Sequence, residues 1–211
     1  ISRQPDLGTA LIVFLSGILP ILLYGFPISI IIFSLLGITV ISPFLWSSLK
    51  EYQQQRIITL FNPESDPLGA GWNIAQSKMA IGSGGYFGKG YLAGTQSQLD
   101  FIPESHSDFI FAVIGEELGL VGIIFVILLY SIILQRIFSI AFSAETEFNR
   151  LVCASIGFIF LIFAIINISM VVGTLPVVGV PLPLISQGGT SLVAHLVAFG
   201  FVLSMKRRQA W

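Results

Sequence analysis

The sequence predicts an all-α fold, a polytopic transmembrane helix bundle with one large loop outside the membrane. Three observations predict it. Of the 211 residues, 55% are hydrophobic and only 10% charged, where an ordinary soluble domain carries about 25%. The apolar residues come in runs near the ~20 that a helix needs to cross a bilayer core about 30 Å thick. The remaining charge is gathered at one point. Residues 99–119, LDFIPESHSDFIFAVIGEELG, hold five of the eleven acidic residues (Asp100, Glu104, Asp108, Glu116, Glu117) and His106, one of two histidines. The net charge of −1 creates no field that would draw nucleic acid. The single Cys153 lies inside an apolar run, where a cysteine behaves as a small hydrophobe.

Five runs read as spans, in one membrane domain covering residues 1–211. The first, 7–26, contains Pro20 and should kink there. The second, 28–49, follows at once across Gly25, Phe26 and Pro27. Residues 50–56 extend that helix beyond the membrane, 62–67 form a turn-rich break, and 72–81 are again helical. The third, fourth and fifth spans are 109–134, 151–172 and 189–205. Arg136 and Arg150 flank one connection, and Lys206, Arg207 and Arg208 follow the last span. Basic residues at span ends mark the cytoplasmic side, which places the loop 50–108 and the turn 173–188 outside. The chain opens on Ile1 rather than Met, and it reads as part of a longer protein.

The stretch 82–94 carries six glycines and Lys89. Its spacing fails both the phosphate-loop and the dinucleotide templates. It reads instead as a compact loop whose glycines allow positive φ and close packing. Lys89 and nearby N–H groups are candidates to face an anionic lipid head group.

In the acidic stretch, Ser105 and Asp108 have the spacing of a capping box, with Ser105 as N-cap. Depth supplies a second reading for Asp108. A helix over 109–134 would extend about 39 Å, so it must tilt or project. Its charge-free run is only 118–134. Asp108 then stands about 12 Å above Glu116, at the mouth of an outward cavity. Glu116 and Glu117 lie near the interface, where an ionisable group is a site residue or half of an ion pair. His106 suits capping or hydrogen bonding. No Cys/His cluster points to zinc. Asp100, Glu104 and Asp108 together could hold Mg²⁺ or another divalent cation on a pyrophosphate, although nothing in the spacing requires one.

Residues 173–191 are apolar yet carry Pro176, Pro181 and Pro183. Such irregular backbone at membrane depth must line a cavity or be buried in protein. The segment therefore reads as a re-entrant, wall-forming loop, with Gln187, Thr190 and Ser191 as candidate neutral contacts to a sugar or phosphate. Capping of the fifth span is the competing reading for Ser186 and Thr190. His195 is expected to bond a neighbouring helix.

Three stretches carry a resemblance: QPDLGTAL (4–11), GSGGYFGKGYLAGTQSQLDFIPESHSDFIFAVIGEELG (82–119) and LPVVGVPLPLISQGGTS (175–191). They resemble the C-terminal half of SEDS-family proteins (shape, elongation, division and sporulation), nearer the elongation type, RodA, than the division type, FtsW. The resemblance implies a peptidoglycan glycosyltransferase of the bacterial cytoplasmic membrane. Such enzymes polymerise lipid II on the outer face beside a class B penicillin-binding protein. The family's essential acid maps onto Asp108, and an acidic position eight residues earlier maps onto Asp100. Ser107 stands where Thr is usual, and Gln187 where Tyr is usual. The expected chemistry is inverting transfer with Asp108 as general base, and with Lys89 or a cation on the leaving pyrophosphate. The alternative is a lipid II transporter or flippase. Clustering of acids at one face rather than at mid-membrane, with no visible inverted repeat, favours the enzyme.

Overall fold

The computed structural model describes residues 28–49, 51–62, 69–99, 101–102 and 104–206, with Phe14, 16–18 and Gly25. The run 7–26 lies almost wholly outside the described residues, as do Asp100, Pro103, the 63–68 break, Arg207 and Arg208. The described residues are helical and contain no strand. The elements are α1 (Ile28–Ser48), α2 (Glu51–Phe61), α3 (Ala70–Gly84), α4 (Thr95–Gln98), α5 (Ile110–Glu117), α6 (Gly119–Phe142), α7 (Glu147–Val172) and α8 (Gly189–Ser204).

Two of these, α6 and α7, are long and apolar enough to cross a membrane. Their 24 and 26 residues correspond to about 36 and 39 Å of helix. On α6, Val121, Phe125, Leu128 and Ile132 are exposed. So large an uncovered apolar face is expected where lipid is the solvent. The 21 residues of α1 include no charge and tolerate Pro43 near the end. The 16 residues of α8 are short for a span.

The third span differs from expectation. It is two helices, broken at Leu118, with Gly119 at φ +65°. The long helix runs to Phe142 rather than ending at 134. Arg136 lies within its last turns and is exposed, where a long basic side chain reaches water along an apolar stem. Likewise, α2 is a separate helix rather than a continuation of α1, although the Gln54 amide donates to the Trp46 carbonyl at 2.8 Å. Between α6 and α7, Thr146 caps α7, accepting from the Asn149 N–H at 3.2 Å.

The main core joins α3, α5, α6 and α7 through Ala80, Phe109, Phe111, Val126, Tyr130 and Phe160. A second cluster, Ile137, Ala141, Cys153 and Val202, ties the far ends of α6, α7 and α8. Cys153 is fully buried there, as a small hydrophobe should be. Helix α7 ends on a left-handed Gly173, with the Thr174 N–H donating back to the Ser169 carbonyl at 2.8 Å. The chain then enters the proline-rich turn. The Tyr130 hydroxyl donates to the Pro183 carbonyl of that turn. Tyr130 lies eleven residues into α6, about 16 Å along its axis, so the turn descends well beside the spanning helix. Leu182 and Pro183 are buried.

Candidate active site

Asp108 does not sit in a helix. Glu104 adopts a left-handed φ of +58°, a conformation that costs roughly 1–2 kcal/mol outside glycine. It opens a run of turns over 104–109. The Glu104 carbonyl accepts from Ser107 N at 3.1 Å and Phe109 N at 3.3 Å. These bonds occupy the groups a helix would need, so α5 begins only at Ile110. Its N-cap is Phe109, with no side-chain cap. The capping box expected at Ser105 and Asp108 is therefore absent: Ser105 is buried in the turn, and Asp108 precedes the helix. Ser107, the departure from the usual Thr, uses its hydroxyl to donate to Glu104 Oε2 at 2.7 Å.

Three contacts hold this turn from the other side. The Ser186 hydroxyl donates to the Ser107 carbonyl. The Gln187 N–H donates to the His106 carbonyl at 2.9 Å. Asn167, in α7 and wholly buried, donates from Nδ2 to the Asp108 carbonyl at 2.8 Å and to the Val180 carbonyl at 2.6 Å. One amide thus staples the acidic turn to the proline-rich turn. The Asn167 Oδ1 is buried and has no partner among the described residues. A Cβ built on Gly179 would stand 3.4 Å from Asp108 Oδ2, so the carboxylate faces bare backbone there.

Among the described residues, the Asp108 carboxylate receives no hydrogen bond and no salt bridge. Burial, and then the neighbouring Glu104 carboxylate, raise its pKa above the ordinary 3.8. A half-buried carboxylate with spare acceptor capacity is suited to take a proton.

Glu116 contrasts with it. It is 0% exposed and forms an ion pair with Lys89 Nζ at 2.7 Å, while the Lys89 side chain remains 26% exposed. Glu116 also accepts from Thr95 Oγ1 at 3.1 Å, Gln96 N at 3.0 Å and Ser97 N at 3.2 Å. Full satisfaction is what lets a buried charge persist. Lys89 additionally donates to Thr95 Oγ1 at 2.8 Å. Glu117 is buried, with no partner for its carboxylate among the described residues.

The remaining candidates are dispersed. Glu104, His106 and Gln187 are exposed around the turn. Thr190 is exposed in the first turn of α8, and Ser191 Oγ lies 3.4 Å from His195 Nδ1. Asp100 lies outside the described residues. Among the described residues no three His, Cys, Asp or Glu side chains stand close enough to share a metal ion. Capping of α8 is also absent, because its N-cap Gly188 has no side-chain bond. Ser186 is already engaged, accepting from Leu182 N while donating to Ser107. His195 bonds the Ser191 carbonyl of its own helix at 2.7 Å rather than a neighbouring helix. It meets α7 through ring contacts with Phe160 and Phe163.

A helical membrane protein with a carboxylate held between two clamped turns defines the class. Within that class, the chain belongs to the FtsW/RodA/SpoVE family of cell cycle proteins, whose pattern matches residues 1–210. It is 50% identical to the peptidoglycan glycosyltransferase MrdB of Escherichia coli K12, over 97% of this chain and 56% of that protein. It is 42% identical to the peptidoglycan glycosyltransferase RodA of Treponema pallidum, over 83% of this chain and 39% of that protein. Its structure resembles a component of a peptidoglycan synthase complex that coordinates polymerization and crosslinking, with a TM-score of 0.79 and 31% identity, over 95% of this chain and 55% of that one. It also resembles a rod shape determining protein RodA of Thermus thermophilus, with a TM-score of 0.60 and 26% identity, over 98% and 52%. The chain spans about half the length of the curated relatives it matches.

Proposed function

We propose that the intact protein polymerises lipid II at the outer face of the bacterial cytoplasmic membrane, within an elongation-type complex with a class B penicillin-binding protein. The carrying observation is Asp108, a half-buried carboxylate with no partner among the described residues, on a turn clamped from α7 and the proline-rich turn. A sugar C4 hydroxyl of one lipid II attacks the anomeric carbon of the lipid-linked glycan. The new C1–O4 bond forms as the C1–pyrophosphate oxygen bond breaks, with inversion. The hydroxyl proton passes to Asp108, and undecaprenyl pyrophosphate leaves with the bonding electrons. Base catalysis needs contact near 3 Å in the productive complex. Glu104, His106 and Gln187 are exposed around the turn and are proposed as substrate contacts. Lys89 and Glu116 serve to hold the glycine-rich loop.

The test is the full-length protein in proteoliposomes with fluorescent lipid II. Polymer should form with the parent and be lost in Asp108→Ala. Translocation of lipid II without polymer formation would replace this reading with the transporter.

A further inference from the structure

The break between α5 and α6 leaves backbone groups that an unbroken helix would pair internally. The glycine-rich loop supplies their partners. Lys89 N and Gly90 N donate to the Glu116 and Glu117 carbonyls, both at 3.0 Å. Leu120 N and Val121 N donate to the Gly85 and Tyr86 carbonyls at 2.9 and 3.1 Å. The backbones approach so closely that a Cβ on Gly88 would lie 2.0 Å from the Glu117 carbonyl oxygen. One on Gly119 would lie 2.3 Å from Gly88 N. The loop is therefore fixed at the level where the charge-free run of α6 begins, at Leu118.

Four large side chains project from it uncovered. Tyr86, Phe87, Tyr91 and Leu92 are 74%, 84%, 80% and 61% exposed. Leu92 is held outward on a left-handed φ of +59°. Lys89, the only charged residue between 82 and 94, is turned inward onto Glu116. The loop thus shows aromatic surface, and its one charge is neutralised within the fold. Part of its backbone is also engaged within the loop: Gly88 N donates to the Gly84 carbonyl at 2.8 Å and Ala93 N to the Gly90 carbonyl at 3.1 Å. Aromatic amphipathic side chains at the end of a spanning helix suit the headgroup layer, and non-helical backbone survives near hydrocarbon only when its polar groups are satisfied.

We propose that the loop over residues 85–92 is an interfacial membrane anchor. Tyr86, Phe87 and Tyr91 seat in the lipid headgroup layer beside the start of α6. The anchor sets the depth of the break, and through α5 the position of the Asp108 turn relative to the bilayer.

The test uses the full-length protein in phosphatidylethanolamine–phosphatidylglycerol vesicles, with a nitroxide at Phe87→Cys or Tyr91→Cys in an otherwise thiol-unreactive background. At both positions, collisions with lipid-partitioning oxygen should exceed those with a water-soluble nickel chelate. Nickel collisions in excess would put the loop in water and overturn the proposal. Weak collisions with both would mean that protein covers the loop, which also overturns it. Phe87→Trp gives a conservative second reading. With the native tryptophans, Trp46, Trp72 and Trp211 among them, replaced by Phe, its emission should be quenched by lipids brominated near the headgroup and spared by aqueous acrylamide; the reverse pattern would contradict the anchor. Neither measurement reads activity, so the result stands whatever reaction the protein catalyses.

Discussion

Asp108 and Glu116 lie eight residues apart and have opposite environments. Glu116 is fully buried and has four donors around it, a charged Lys89 among them. Asp108 is half-buried, has no donor among the described residues, and has a second carboxylate nearby. The difference separates charge used to hold a fold from charge kept available for chemistry. A carboxylate saturated with hydrogen bonds cannot accept a substrate proton cheaply. An unsaturated one, raised by burial and a like charge, is poised to do so.

The largest effect that would break this contrast is catalytic. Asp108→Ala should lower polymerisation by roughly 10²–10⁴-fold, the usual worth of a positioned base, while the thermal unfolding midpoint stays near that of the parent. Glu116→Ala should do the reverse. Removing one member of a buried ion pair costs about 3–5 kcal/mol, so unfolding should shift strongly, with activity falling only as folded protein is lost. Thermal scans in detergent, read against activity per folded molecule, separate the two.

Asn167→Leu probes the staple between the turns. It orphans the Asp108 and Val180 carbonyls, at roughly 1–3 kcal/mol, offset in part because Asn167 Oδ1 is itself buried without a partner among the described residues. Displacement of Asp108 by about 1 Å should lower kcat by up to about 100-fold with KM nearly unchanged.

The smallest effect is in pH. The base form is needed, so the rate should rise with pH through a pKa above 3.8. Glu104→Gln removes the like charge and should move that limb to lower pH in a pH–rate profile. The stability sign follows from the same shift. The folded state binds this proton more tightly than the unfolded chain, so the Asp108 contribution is present at low pH. It is lost as pH rises from 3.8 through the raised folded value.

Much of this was legible in the sequence, for reasons that also explain the failures. Helices α7 and α8 follow from long apolar runs, and the compact reading of the glycine loop is met by five positive-φ or closely packed glycines, Gly84, Gly85, Gly88, Gly90 and Gly94. The break at Leu118 was hidden because Gly119 looks like any glycine in a span, and its partner strand of backbone lies thirty residues earlier. The capping box misled because the local Ser105–Asp108 spacing says nothing about the left-handed Glu104 that delays the helix. Asn167 was missed although it carried a signal: an amide deep inside the apolar run of α7 needs partners that only tertiary structure supplies. Asp108 itself came from the family resemblance, since local spacing left it divided between cap and base.

The most direct measurement is the initial rate of glycan polymerisation by purified full-length Asp108→Asn, scored per folded molecule in lipid II proteoliposomes. The isosteric amide keeps the shape and removes the base. A folded protein with parent-like unfolding and a polymerisation rate lowered at least about 100-fold is expected. A folded Asp108→Asn protein that polymerises at the parental rate would contradict the base assignment.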